Sequence, residues 1–116
     1  MKHRDKIILE KIIDYCNKID KTLIRFDCSI QKFAEDDVFY SASCMYVLQI
    51  GELVGKLSDE CKAEYNAMPW QSIKDMRNIV AHAYGELELE TTWNTLNESV
   101  PELKKYCEMI LQKEAI

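Results

Sequence analysis

The sequence predicts an all-α chain: an up-and-down bundle of four main helices, the last one broken at a proline. Three observations predict it. Apolar residues recur at steps of three and four over long stretches, and no stretch alternates apolar and polar as a half-buried strand would. The 116 residues also contain just three Gly and two Pro, the residues that interrupt helices. That length suits one domain with one core, residues 1–116, and no repeat or linker divides it.

The first helix is expected over residues 2–26. Ile8, Ile12, Tyr15/Cys16, Ile19 and Leu23 mark one apolar face, and Lys, Asp and Glu fill the other. Asp27 and Ser29 supply capping chemistry for a short turn or helix running to Phe33. A second long helix should start near Asp36/Asp37, whose carboxylates suit a helix N-terminus, with a stripe at Val38, Ala42, Met45/Tyr46, Ile50, Leu53 and Leu57. Within it, Gly51 and Gly55 form a small-x-x-x-small pair that reads as close helix packing. A loop or short helix covers 58–68. Pro69 then opens a third helix to about Tyr84, where Gly85 is placed to end it in a left-handed cap. The final helical segment spans residues 90–113, and Pro101 should break or bend it after Val100.

Composition excludes several classes. Fifteen Lys and Arg stand against twenty Asp and Glu, a net charge of −5, so a uniformly basic nucleic-acid coat is ruled out while a local phosphate site is not. No membrane span and no leader are expected, which places the chain in the cytoplasm as a soluble domain. The five cysteines, Cys16, Cys28, Cys44, Cys61 and Cys107, are odd in number and lack C-x-x-C spacing. Neither a disulfide framework nor a zinc site is expected, no metal or other cofactor is assigned, and Cys16 reads as a buried thiol.

Chemistry concentrates in the third helix. With about 100° per residue and Arg77 at zero, Ile73, Met76, Ile79, Val80 and Ala83 cluster at roughly 200–320° as the core stripe. Asn78 and His82 fall at roughly 100° and 140°, off that stripe, and are i, i+4 neighbours. Arg77 and Tyr84 share a row, seven residues apart. A guanidinium that can hold phosphate, an imidazole that titrates near neutrality and a carboxamide beside it are the parts that metal-independent RNA cleavage requires. His82 can accept the 2′-hydroxyl proton or protonate the leaving 5′-oxygen, Arg77 can stabilise the phosphorane, and Asn78 can orient either group. One imidazole cannot readily be both acid and base, which points to a two-fold dimer. Trp70, at i−7 from Arg77, could stack a base but reads better as a packing residue. Trp93, Phe33, Phe39 and Tyr46 also read as packing.

These residues resemble a known family. The stretch PWQSIKDMRNIVAHAY, residues 69–84, is similar to the signature of the HEPN superfamily, and more narrowly of HepT-like ribonuclease toxins: Arg, four residues, His, one residue, Tyr. Arg77, His82 and Tyr84 fill that motif, and Asn78 fits the polar residue after the Arg. IGELVGKLS at 50–58, Trp93 and the Pro101-Glu102-Leu103 segment extend the likeness over nearly the whole chain. The resemblance implies a helical HEPN-like homodimer whose Arg/His motifs face each other and cut RNA without metal. It further implies a type VII-like toxin–antitoxin pair with a minimal nucleotidyltransferase antitoxin, room for a higher assembly with that antitoxin, and adenylylation of Tyr84 as the silencing event. No membrane partner is implied.

Two other readings compete. A non-catalytic helical subunit that only docks a nucleotidyltransferase would have no need of both Arg77 and His82. A di-metal bundle needs Glu three residues before an inward His, and neither His3 nor His82 has one. The carboxylates Glu86, Glu88, Glu90 and Glu98 oppose phosphate unless they point away, and the basic residues of the first helix are interspersed with acids. Weak, salt-sensitive RNA binding is therefore expected.

Overall fold

The computed structural model describes residues 1–81 and 86–115, and for 78–81 and 86–88 the backbone alone. The described chain is helical throughout, with no strand: α1 His3–Arg25, α2 Ile30–Glu35, α3 Asp37–Lys56, α4 Asp59–Glu64, α5 Trp70–Ala81, α6 Glu86–Asn94, a π-helical turn Thr95–Ser99, and α7 Val100–Glu114. Helix α3 is the centre of the bundle. It packs on α5 along one flank and on α1 along the other, and α7 closes the bundle against α1.

Local chemistry sets the short elements. The Ser29 hydroxyl accepts from Lys32 N–H at 3.2 Å, the Asp36 carboxylate from Val38 and Phe39 N–H at 3.0 and 3.1 Å, and the Ser58 hydroxyl from Cys61 N–H at 3.1 Å. Each cap satisfies helix donors that would otherwise lack partners, a contribution of about 1 kcal/mol apiece. Ser58 is itself held by buried Asp5, whose carboxylate accepts from the Ser58 N–H at 2.9 Å and its hydroxyl at 2.6 Å. The start of α1 is thereby tied to the start of α4.

The core joins Ile8, Leu9, Ile12, Cys16, Ile19 and Leu23 of α1 to Val47, Ile50 and Val54 of α3 and to Leu103, Cys107 and Ile110 of α7. At one end Phe33, Phe39 and Trp93 pack with ring centroids 5.1 to 6.1 Å apart, and Phe26 stacks on Phe39 at 4.5 Å. Burial pushes the Cys16 thiol up to about 12 and the Cys61 thiol to about 11, the behaviour of thiols that pack and do not react.

Several expectations change. The predicted stripe of α3 holds at Ile50 and Leu57 but fails at Val38 and Met45, which are 71% and 54% exposed. The buried face is Phe39, Ser43, Val47, Ile50, Gly51 and Val54. The helix is apolar nearly all the way round, so its periodicity admits two stripes, and the observed core face is rotated from the expected one, with Ile50 common to both. That same apolarity makes α3 long and apolar enough to cross a membrane by length and composition, contrary to expectation, although here it packs inside a helical bundle. Finally, the last segment starts at Glu86 rather than 90 and does not break at Pro101. Ser99 and Val100 keep right-handed helical angles, and a π-turn, in which the Val100 N–H reaches Thr95 O, absorbs the irregularity just before the proline. Helix α5 begins at Trp70, with Pro69 O accepting from Ile73 N–H at 3.1 Å, so Pro69 caps the helix rather than opening it.

Gly51 and Gly55 differ in a way that can be tested. A Cβ on Gly51 would lie 2.7 Å from Cβ of Arg77, so α3 and α5 would have to part; on Gly55 it would meet only the flexible end of Lys74, at 3.5 Å. Gly51→Ala should destabilise by about 1–2 kcal/mol through overpacking. Gly55→Ala should stabilise by up to about 1 kcal/mol through helix propensity, and urea-unfolding midpoints will separate the two.

The thiols give a second test. Iodoacetamide at pH 8 should label exposed Cys28 rapidly and leave buried Cys16, Cys61 and Cys107 unmodified in the folded protein. The folded state holds the Cys16 and Cys61 protons more tightly than the unfolded chain does. Their contribution is therefore intact below pH 9 and is lost as pH climbs toward 11–12, so unfolding free energy should fall across that window.

Candidate active site

The site is built where α5 crosses the C-terminal half of α3. The absence of a side chain at Gly51 lets the Arg77 stem lie directly on the α3 backbone. One residue on, Glu52 turns outward from α3, and its Oε1 pairs with Arg77 Nε at 2.5 Å. Both side chains are nearly half exposed, 44% for Arg77 and 47% for Glu52, so the pair contributes less than about 1 kcal/mol to stability. Its consequence is geometric. A carboxylate bound at Nε fixes the plane of the guanidinium, and the two terminal nitrogens remain able to donate to an anion.

Of the predicted site residues, Arg77 lies on an exposed edge of α5 beside α3. Asn78 follows it within the same helix, and its side chain is outside what is described. His82 and Tyr84, like the capping Gly85, lie outside the described residues. Trp70 is buried: its indole N–H donates to Tyr65 O at 2.9 Å and its ring meets Tyr106 edge-on at 5.9 Å. It fixes the start of α5, which favours packing over base stacking. Glu90 and Glu98 are exposed.

Sequence reasoning alone misses Glu52. A signal is present, because Gly51-Glu52 lies in the IGELVGKLS segment that carries the family resemblance. Nothing in the spacing, however, says that Glu52 faces Arg77, 25 positions along the chain, until the α3–α5 crossing is known. Among the described residues no cluster of His, Cys, Asp and Glu could hold a metal ion.

Comparison with known proteins supplies the family. Residues 9–110 match the model of a family described as "Ribonuclease HepT-like". The chain is 34% identical over 86 residues to "Putative RNase TTE0752" of Caldanaerobacter subterraneus subsp. tengcongensis, covering 74% of this chain and 77% of that protein. It is 29% identical over 115 residues to "Putative RNase MJ0125" of Methanocaldococcus jannaschii, covering 97% and 96%. Over 55 residues it is 31% identical to "Probable ribonuclease HepT" of Thermococcus cleftensis, covering 47% and 50%. No solved structure matches the chain. The extent of the family match, with Arg77 set at the crossing of the two helices that carry the motif segments, establishes that this chain belongs to the HepT-like ribonuclease family.

Proposed function

We propose that the chain is a metal-independent RNA endonuclease and the toxin of a toxin–antitoxin pair. The observation that carries this reading is the Arg77 guanidinium, exposed and oriented by Glu52 at its Nε. In the reaction the 2′-oxygen attacks the adjacent phosphorus, the bond to the 5′-oxygen breaks, and 2′,3′-cyclic phosphate and 5′-hydroxyl ends result. His82 takes the 2′-hydroxyl proton, and the same imidazole of a second copy protonates the leaving 5′-oxygen. Arg77 neutralises the charge that builds on the phosphorane, and Asn78 orients the imidazole or the phosphate.

A homodimer supports this division of labour. The outward face of α3, with Val38 and Met45 exposed, runs beside the Glu52–Arg77 pair, and an exposed apolar helix face suits a second copy of the chain. Silencing completes the proposal. A minimal nucleotidyltransferase antitoxin transfers AMP to Tyr84: the Tyr84 oxygen attacks the α-phosphorus of ATP, pyrophosphate leaves, and the phenolic proton is lost. The added phosphate then competes for the anion site at Arg77.

Purified protein should cut RNA in EDTA, and Arg77→Ala and His82→Ala should each lose at least about a hundredfold in rate. Equal traces of cutting in all three samples would overturn the reading and favour a docking subunit. Glu52→Ala should lower kcat about ten- to a hundredfold while moving the unfolding midpoint little. Glu52→Gln, which retains an acceptor for Nε, should recover most of the rate, and equal kinetics for both variants would exclude a positioning role. Sedimentation equilibrium should give twice 13.6 kDa for the wild type and a monomer for Met45→Lys.

A further inference from the structure

The basic residues of α1, scattered among acids in the sequence, form a ridge in the folded protein. Arg4, Lys11, Lys18 and Arg25 recur at steps of seven and are all exposed. Seven residues turn a helix through about 700°, so the four lie within an arc of about 60° over a length of about 30 Å. Tyr15 and Thr22 border this row, and Tyr15 meets Tyr46 of α3 at 6.0 Å, which puts the row on the edge of α1 that adjoins α3. At its C-terminal end Lys18, Lys21, Thr22, Arg25 and Tyr46 line a cleft of about 190 Å³.

The acids of α1 do not cancel this charge. Asp5 is buried on Ser58, Asp20 lies on the opposite side against α7, exposed Glu10 falls about 90° around the helix from the centre of the ridge, and Asp14 joins the ridge, paired with Lys18 at 3.3 Å. Among the described residues, Arg4, Lys11, Lys21 and Arg25 have no ion-pair partner. Lys18 also sits 4.9 Å from the centre of the Tyr15 ring. A chain of net charge −5 thus keeps a line of cations, of which Lys18 alone is ion-paired among the described residues, beside two partly buried aromatic rings.

We propose that this ridge is a binding track for single-stranded RNA, with the cations on successive backbone phosphates and Tyr15 and Tyr46 offering ring faces to the bases. Cations along a groove with aromatic rings at intervals are how sequence-tolerant single-strand binding works. The track lies on the far flank of α3 from Arg77. Tyr46 and Gly51 are five residues apart, about 140° around the helix, with one facing α1 and the other α5. It therefore holds substrate away from the cleavage point. This inference rests on the ribonuclease reading for its choice of RNA over another polyanion.

The test is binding of a labelled oligouridylate, read by anisotropy from 50 to 300 mM salt, in a His82→Ala background that leaves the strand intact. Lys11→Gln, Lys18→Gln and Arg25→Gln combined should weaken binding more than tenfold at low salt. The slope of log affinity against log salt should fall by about 2, roughly 0.7 for each single-strand phosphate that the ridge no longer neutralises. Lys62→Gln, Lys104→Gln and Lys105→Gln combined, an equal change of charge elsewhere, should leave the slope at its wild-type value. Equal losses in both triple variants would reduce the effect to net charge and overturn the track. No loss in the ridge variant would also overturn it. Cleavage reports separately. With Arg77 and His82 intact, the ridge variant should keep the wild-type rate at saturating RNA while KM rises. Wild-type protein that binds through the ridge yet never cuts would sink the ribonuclease reading and leave the track standing.

Discussion

The contact between Gly51 and the stem of Arg77 is the constraint on which the site depends. Two helices can approach this closely only where one of them lacks a side chain, and α3 lacks one where α5 crosses it. That approach places Glu52 against the guanidinium of Arg77. The arrangement also explains why a helix former such as alanine is absent from position 51 despite its better propensity. The intrinsic gain of about 1 kcal/mol is smaller than the cost of parting two packed helices.

With α5 on one flank and α1 on the other, α3 leaves a third face outward, on which Val38 and Met45 are exposed. The neighbouring surfaces carry the charge that α3 lacks: the oriented guanidinium on the α5 side, the heptad-spaced cations on the α1 side. A protein with an excess of carboxylates thus keeps two cationic edges. On them Glu52 and Asp14 each pair with one cation, while Asp5 is buried against Ser58 and Asp20 turns toward α7. Net charge bounds the strength of polyanion binding, and the placement of each charge decides where it occurs.

Much of the fold is legible in the residues. The face of α1, the caps at Ser29 and Asp36, and the packing roles of Phe33, Phe39 and Trp93 follow from residue type and spacing, because each rests on local chemistry. What local chemistry cannot decide is the rotation of α3. When apolar residues surround a helix, the core face is chosen by its neighbours, and here Gly51 turns inward while Val38 and Met45 turn out. The π-turn before Pro101 escapes for a similar reason, since proline signals an irregularity without specifying whether the chain breaks or widens. At the site, Arg77 is legible from its motif and its position off the core stripe. Glu52 is not, because its role exists only where two distant segments cross. The cationic ridge lies in plain view as a period of seven, but its meaning depends on knowing which acids are buried or turned away.

The central claim is that Arg77, held at the α3–α5 crossing, serves a reaction in which the RNA supplies its own nucleophile. The most direct measurement is cleavage of an RNA that carries a single 2′-deoxynucleotide on the 5′ side of a linkage the wild-type protein otherwise cuts. The account predicts that this linkage stays intact while the others are cut at their usual rates. Cutting there at an undiminished rate would contradict it, because the attacking oxygen would then have to come from elsewhere.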